Sequence, residues 1–173
     1  RAMRIEDPLE IVLAWLEADN YQKRRCQDLD RVMNITDLPK LKKLDIDLIK
    51  KCDVFFSALP HAELHKIAKE IILDTVIIDL SADFRLPDIS VYEKWYKIKH
   101  ESPELQNQST YGLSEIFRDK IVKSNLISCP GCYPTSVLLP LIPLIHNKMI
   151  DCSDIIIDSK SGYSGAGKKI YNN

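Results

Sequence analysis

The alternation of apolar and polar positions is weak at the start of the chain and sharp in its middle. Asp7-Pro8 followed by Leu9, Val12, Leu13 and Leu16 has a capping residue, a proline at the first helical position and helical spacing, and predicts an amphipathic helix of about three turns. Val32 to Ile35 reads as a short strand, and Asp45 to Lys51 as a short helix with Ile46 and Ile49 on one face. Asp53 to Leu59 is then an apolar strand stopped by Pro60. Ala62 to Leu73 follows as a helix with Leu64, Ile67, Ala68 and Ile71 inward, and Val76 to Leu80 as the next strand. Strand, helix and strand, with continuous apolar runs in the strands, define a βαβ unit of a parallel sheet.

Residues 86–120 read as a connection with short helical stretches such as Val91 to Tyr96, not as a layer of sheet. The sheet is expected to resume at Asn125 to Ser128 and again at Asp154 to Asp158, on either side of an apolar helix from Pro134 to Leu144. In an open α/β sheet ligands bind beyond the carboxyl ends of the strands, which here are the polar segments Ser57 to His61 and Ser81 to Arg85.

Composition narrows the function classes. The 24 basic and 25 acidic residues are interleaved, and the densest basic run, Lys23-Arg24-Arg25, is too short for a nucleic-acid surface. The apolar run Val137 to Ile145 is interrupted by Pro140 and Pro143, whereas a membrane span needs about twenty residues. Five cysteines at irregular spacing, with no secretory segment in residues 1–20, fit a reducing, cytoplasmic location better than a disulfide framework.

Candidate chemistry centres on Ser128-Cys129-Pro130-Gly131-Cys132-Tyr133-Pro134-Thr135, which places Cys132 between a strand and a helix. Unpaired N–H groups and the positive end of a helix dipole favour S⁻ over SH at such a junction, which makes Cys132 the candidate nucleophile. Gly131 allows close approach of a substrate there. Cys129-Pro130-Gly131-Cys132 is also a C-x-x-C, so thiol–disulfide chemistry is the rival reading. Cys26, Cys52 and Cys152 supply no second paired spacing for zinc, and no metal site is expected. Gly162 to Lys168 has the glycine and lysine spacing of a Walker A loop, but Lys169 stands where Ser or Thr would be needed for Mg²⁺.

Five blocks in order carry a family resemblance: Ser57-Ala58-Leu59-Pro60-His61, Asp79 to Leu86, Tyr111-Gly112-Leu113-Ser114-Glu115, Cys129 to Thr135, and Ser159 to Lys168. Together they resemble the N-acetyl-γ-glutamyl-phosphate reductases, relatives of the aspartate-semialdehyde dehydrogenases, from about residue 38 onward, with residues 1–30 unmatched. The resemblance implies an α/β fold in which a partial Rossmann-like parallel sheet (residues 31–128) leads into the start of an α+β catalytic and dimerisation domain (residues 129–173). It implies NADP(H) as cofactor and a small acyl phosphate as substrate, reduced through a thioester on Cys132 in arginine biosynthesis, with a homo-oligomer as the full-length assembly. Arg85, Glu115 and Gly131 are the implied substrate contacts; a surface ion pair of Arg85 with Asp83 or Asp88 is the other reading. Ser57, Leu59, Pro60, Ser81, Ser164, Gly165, Ala166 and Gly167 are the implied cofactor contacts.

The chain departs from the family pattern at Ala62, usually glycine, at Ser114, usually proline, and at Tyr163, usually a smaller residue. It has no glycine before Gly112, so residues 1–111 contain no dinucleotide fingerprint, and the family's acid/base histidine has no counterpart among residues 1–173. The expectation is therefore a fragment of a two-domain reductase, inactive by itself. A relative acting on an aminoadipyl phosphate, and a non-catalytic nucleotide-binding module, are the remaining alternatives.

Overall fold

The structure, a computed structural model, describes residues 13–14 and 44–162. The chain falls into two compact units, Arg1–Pro130 and Gly131–Asn173.

The first unit is built on a parallel sheet. Its strands are β1 (Leu13–Ala14), β2 (Val54–Ser57), β3 (Val76–Asp79), β4 (Ser109–Tyr111) and β5 (Leu126–Ser128), in the spatial order β1-β2-β3-β5-β4. Every neighbouring pair runs parallel. Its helices are α1 (Ile46–Ile49), α2 (Leu64–Ile71), α3 (Ile89–Tyr96) and α4 (Ser114–Ile121), with a 3₁₀ turn at Pro103–Gln108. Asp45 caps α1 by accepting from the N–H groups of Asp47 and Leu48, and Asp88 caps α3 by accepting from that of Ser90. Helix α2 buries Leu64, Ala68 and Ile71, the i, i+4, i+7 stripe, against Phe55, Ile77 and Leu126 of the sheet. This α/β core is the one read from the sequence, and the strands and helices of the β2-α2-β3 unit lie within the predicted spans.

Three expectations are corrected. The predicted helix around residues 7–16 gives way at Leu13–Ala14 to a strand that pairs with Phe56 and Ser57. A short apolar run satisfies either period, and here the sheet supplies a partner. Residues 86–120 are not merely a connection, because Ser109–Tyr111 adds strand β4 at the edge of the sheet. Its sequence, Ser-Thr-Tyr, is too polar and too short for pattern reading. Asp154–Asp158 is not a strand: Ile156 is 93% exposed, and no described strand lies alongside to take up its backbone hydrogen bonds. The proposed strand at Val32 to Ile35 lies outside the described residues.

The second unit contains α5 (Cys132–His146), which carries Pro140 and Pro143 inside it. Among the described residues no helix is long and apolar enough to cross a membrane.

Candidate active site

The strand register sets four polar residues in a row at the carboxyl edge of the sheet. Ser57 faces Asp79, Asp79 faces Ser128, and Ser128 faces Tyr111, each being the last residue of its strand. Sheet interiors seldom end so, because a buried polar group costs free energy unless it is paired. Asp79 Oδ1 accepts from the N–H of Ser81 at 2.8 Å. Asp79 Oδ2 and Ser57 Oγ have no partner among the described residues although both are buried. Burial raises the Asp79 carboxyl to about 6, against the effect of its bonds to Ser81.

Arg85 leaves the β3 edge and crosses it. Its Nε donates to the Cys129 carbonyl at 2.6 Å and its Nη2 to the Leu80 carbonyl at 2.7 Å. Neither acid considered as its surface partner is paired with it. The Asp83 carboxylate is bonded to α2 and that of Asp88 to Ser90. Nη1 makes no bond among the described residues and so remains able to donate. Beside it is a pocket of about 230 Å³ whose walls include Arg85, Gln106, Tyr111 and Ser128 with the rings of Phe84 and Phe117. Burial raises the Tyr111 hydroxyl above its ordinary value, and the charge of Arg85 works the other way.

The remaining predicted contacts are dispersed along this edge. Leu59 is buried in the core, while Pro60 is exposed in the turn that follows. Ser81 is buried, and its Oγ accepts from the N–H of Asp83 at 3.2 Å, which makes it part of the turn after β3. Glu115 is exposed in the first turn of α4, where a carboxylate complements the helix dipole. Ser164, Gly165, Ala166 and Gly167 lie outside the described residues.

In the second unit Gly131 is the N-cap of α5 and Cys132 its first residue, four positions after the end of β5. Thr135 Oγ1 donates back to the Gly131 carbonyl at 2.8 Å, closing the first turn. Cys132 is a free, exposed thiol. Gly131 has φ −70° and ψ 168°, a conformation open to any residue, so no backbone twist requires glycine there. Cys129, the other half of the C-x-x-C, is a free thiol that burial pushes above its ordinary value. Among the described residues no group of three or more His, Cys, Asp or Glu side chains could hold a metal ion.

Behind this edge lies a buried polar cluster, Asp83 with His65, His100 and Ser102, that no local period announces. Asp83 Oδ1 accepts from the N–H of Ala62 at 2.7 Å, and Oδ2 from those of Leu64 at 3.0 Å and His65 at 3.2 Å. Glu63, the local N-cap of α2, makes no capping bond, so Asp83 caps the helix from another loop. His100 Nδ1 accepts from the N–H of Ser102, which leaves Nε2 to donate to the Asp83 carbonyl at 3.0 Å. His65 stacks on His100 with ring centroids 4.6 Å apart. The one available signal was an aspartate two residues before Arg85 in the Asp79 to Leu86 block, but the amides it serves lie 18 to 21 positions away.

A parallel sheet with helices between its strands and a polar carboxyl edge defines a nucleotide-binding domain of the Rossmann type. The edge suits a nicotinamide nucleotide, since the free Ser57 Oγ and the exposed Ala58 and Pro60 stand at the end of a central strand. The NAD-binding domain of semialdehyde dehydrogenases matches residues 3–124, and their dimerisation domain matches residues 132–173. The chain belongs to the semialdehyde dehydrogenase family. The first match takes in residues before 31, which the motif blocks left unassigned.

Its relatives include the N-acetyl-γ-glutamyl-phosphate reductases of Caldicellulosiruptor saccharolyticus, 52% identical over 80% of this chain and 39% of the relative, and of Desulforamulus reducens, 48% identical over 74% and 38%. That of Afipia carboxidovorans is 43% identical over 92% of this chain and 46% of the relative. The chain thus spans less than half the length of these relatives.

Proposed function

We propose that this chain is part of an NADP(H)-dependent reductase that converts N-acetyl-γ-glutamyl phosphate to N-acetylglutamate semialdehyde and phosphate, a step of arginine biosynthesis carried out in the cytoplasm by a homo-oligomer. The reading rests on Cys132, which opens α5 directly after the parallel strand β5 in a chain whose relatives carry that enzyme's name. The order of motifs along the sequence supports the same reading, since five blocks resemble those of that family in their order.

The chemistry follows from the residue types. Cys132 Sγ attacks the acyl carbon, a C–S bond forms, the C–O bond to phosphate breaks, and phosphate departs with the electron pair. A bound nicotinamide nucleotide supplies the hydride that reduces the resulting thioester. The C–S bond then breaks, its electron pair returns to Cys132 Sγ, and the aldehyde leaves. Arg85, with Nη1 uncommitted and its other nitrogens anchored, is the group that would hold the phosphate or another anionic part of the substrate. Ser57, Leu59, Pro60 and Ser81, at the carboxyl edge of the sheet, are the nucleotide contacts that the family resemblance implies, as are Ser164, Gly165, Ala166 and Gly167. Glu115 and Gly131 complete the proposed substrate contacts.

The test is phosphate-dependent reduction of NADP⁺ by N-acetylglutamate semialdehyde, with the full-length enzyme beside its Cys132→Ser variant. Activity that requires phosphate and disappears in the variant is expected. Activity retained by Cys132→Ser would remove the thioester mechanism.

A further inference from the structure

We propose that Asp83 is a positioning residue for the nucleotide: its carboxylate shapes the turn at residues 58–62, after β2, and thereby sets the affinity of the cofactor edge. The inference rests on the reductase reading above. It adds a residue that touches neither reacting atoms nor the nucleotide.

The geometry is that of a clamp between two loops. The turn after β2 runs through Ala62 at φ 69°, the left-handed region that side chains rarely occupy. Nothing local holds it there, since Glu63 makes no capping bond. The N–H groups of Ala62, Leu64 and His65 all converge on the two oxygens of Asp83, at 2.7, 3.0 and 3.2 Å. His61 Nδ1 accepts from the N–H of Ala82 at 3.1 Å, and the Leu80 N–H donates to the Ser57 carbonyl at 2.9 Å, so the loops after β2 and β3 are stitched at three levels. Strain of this kind persists where the surroundings over-determine it, and it collects at ligand clamps.

Asp83 is itself held from behind. Tyr92 lies with its hydroxyl 3.4 Å from Oδ1, and His100 donates to the Asp83 carbonyl. A fully buried carboxylate with this many donors has one orientation available to it. It also occupies the N-terminus of α2, so the turn presents to a ligand the shape of residues 58–62, not free helix N–H groups. Two residues later Arg85 donates to the Cys129 and Leu80 carbonyls, so the loop that carries Asp83 is tied to the loop after β5 as well.

The experiment uses the full-length enzyme and reads KM for NADP⁺ separately from kcat. Asp83→Asn keeps the shape but replaces one acceptor oxygen with an NH₂ that faces donors; KM for NADP⁺ is expected to rise roughly tenfold, with kcat changing less than about threefold. Adding Ala62→Gly, which lets the turn keep its left-handed residue without the clamp, is expected to bring KM back to within about threefold of wild type. A lower melting temperature with KM unchanged would make Asp83 merely structural and overturn the proposal.

Hydrogen exchange of the wild-type enzyme with and without NADP⁺ needs no variant to fold. Amides 61–65 are expected to gain more protection than those of α4, and equal protection would also overturn the proposal. A wild-type enzyme that binds NADP⁺ with this pattern but does not act on the semialdehyde would sink the reductase reading and leave Asp83 in place.

Discussion

The Arg85 guanidinium and the Cys129 main chain are joined by a 2.6 Å hydrogen bond across 44 residues of sequence. With the second bond to Leu80, it fastens the loop after β3 to the loop after β5, three residues before Cys132. Arg85→Lys keeps the charge but cannot reach two carbonyls with a planar fork. Hydrogen bonds from a charged donor contribute about 1.5–3 kcal/mol each, so unfolding by denaturant is expected to show a loss of about 2 kcal/mol or more. An unchanged midpoint would mean that the two carbonyls are satisfied without Arg85.

Ala62 offers the opposite experiment. An L-residue in the left-handed region costs about 1–2 kcal/mol, and glycine removes that cost while adding about 0.4–1 kcal/mol of unfolded-state entropy. Ala62→Gly is therefore expected to raise the unfolding free energy by up to about 1 kcal/mol, read as a higher midpoint at constant m-value. Destabilisation would show that the methyl group, buried at 6% exposure, contributes more by packing than it costs by strain.

How far such features could be read beforehand depends on where their partners lie. Strands β2 and β3 and helix α2 were legible because Phe55, Ile77, Leu64, Ala68 and Ile71 announce themselves by local period. The strand-to-helix junction at Cys132 was legible because an apolar strand precedes it and an apolar helix with proline in its first turn follows. Strand β4 was not, since Ser109-Thr110-Tyr111 owes its conformation to β5 and not to its own side chains. Asp83 stood inside a recognised block, yet the donors it serves are 18 to 21 residues away, and no sequence period relates them. Ala62 was visible as a departure from glycine, and its φ of 69° supplies the reason that glycine is usual there.

Gly112 is fixed by close approach. A Cβ there would lie 3.0 Å from Ile127 Cγ2, 3.2 Å from Cys129 Cα and 3.2 Å from the Ser128 carbonyl oxygen. Two of these atoms are backbone, and the Gly112 N–H donates to that same oxygen at 2.8 Å. Gly112→Ala is expected to separate the ends of β4 and β5 and to cost about 1–3 kcal/mol, measured by thermal unfolding. A substitution with no cost would mean that β4 can shift on the sheet edge without loss.

Asp79 and His100 predict opposing pH dependences, and one substitution separates them. Burial raises the Asp79 carboxyl from 3.8 to about 6, so between those values the folded protein holds a proton that the unfolded chain has released. Stability from this group is complete below about pH 4 and is lost as pH rises through 6; a shift of two units corresponds to about 3 kcal/mol. Burial lowers His100 from 6.5, so its contribution is present above that pH and is lost as pH falls below it. Asp79→Asn retains an acceptor for the Ser81 N–H and cannot ionise. The variant is expected to match wild type near pH 4, to exceed it by up to about 3 kcal/mol at pH 7, and to show a stability that rises from pH 5 to 7 as His100 requires. Denaturant titrations of both proteins across pH 4 to 8 check this. Parallel pH profiles would show that Asp79 ionises normally in the folded state, with its unpaired oxygen served by solvent.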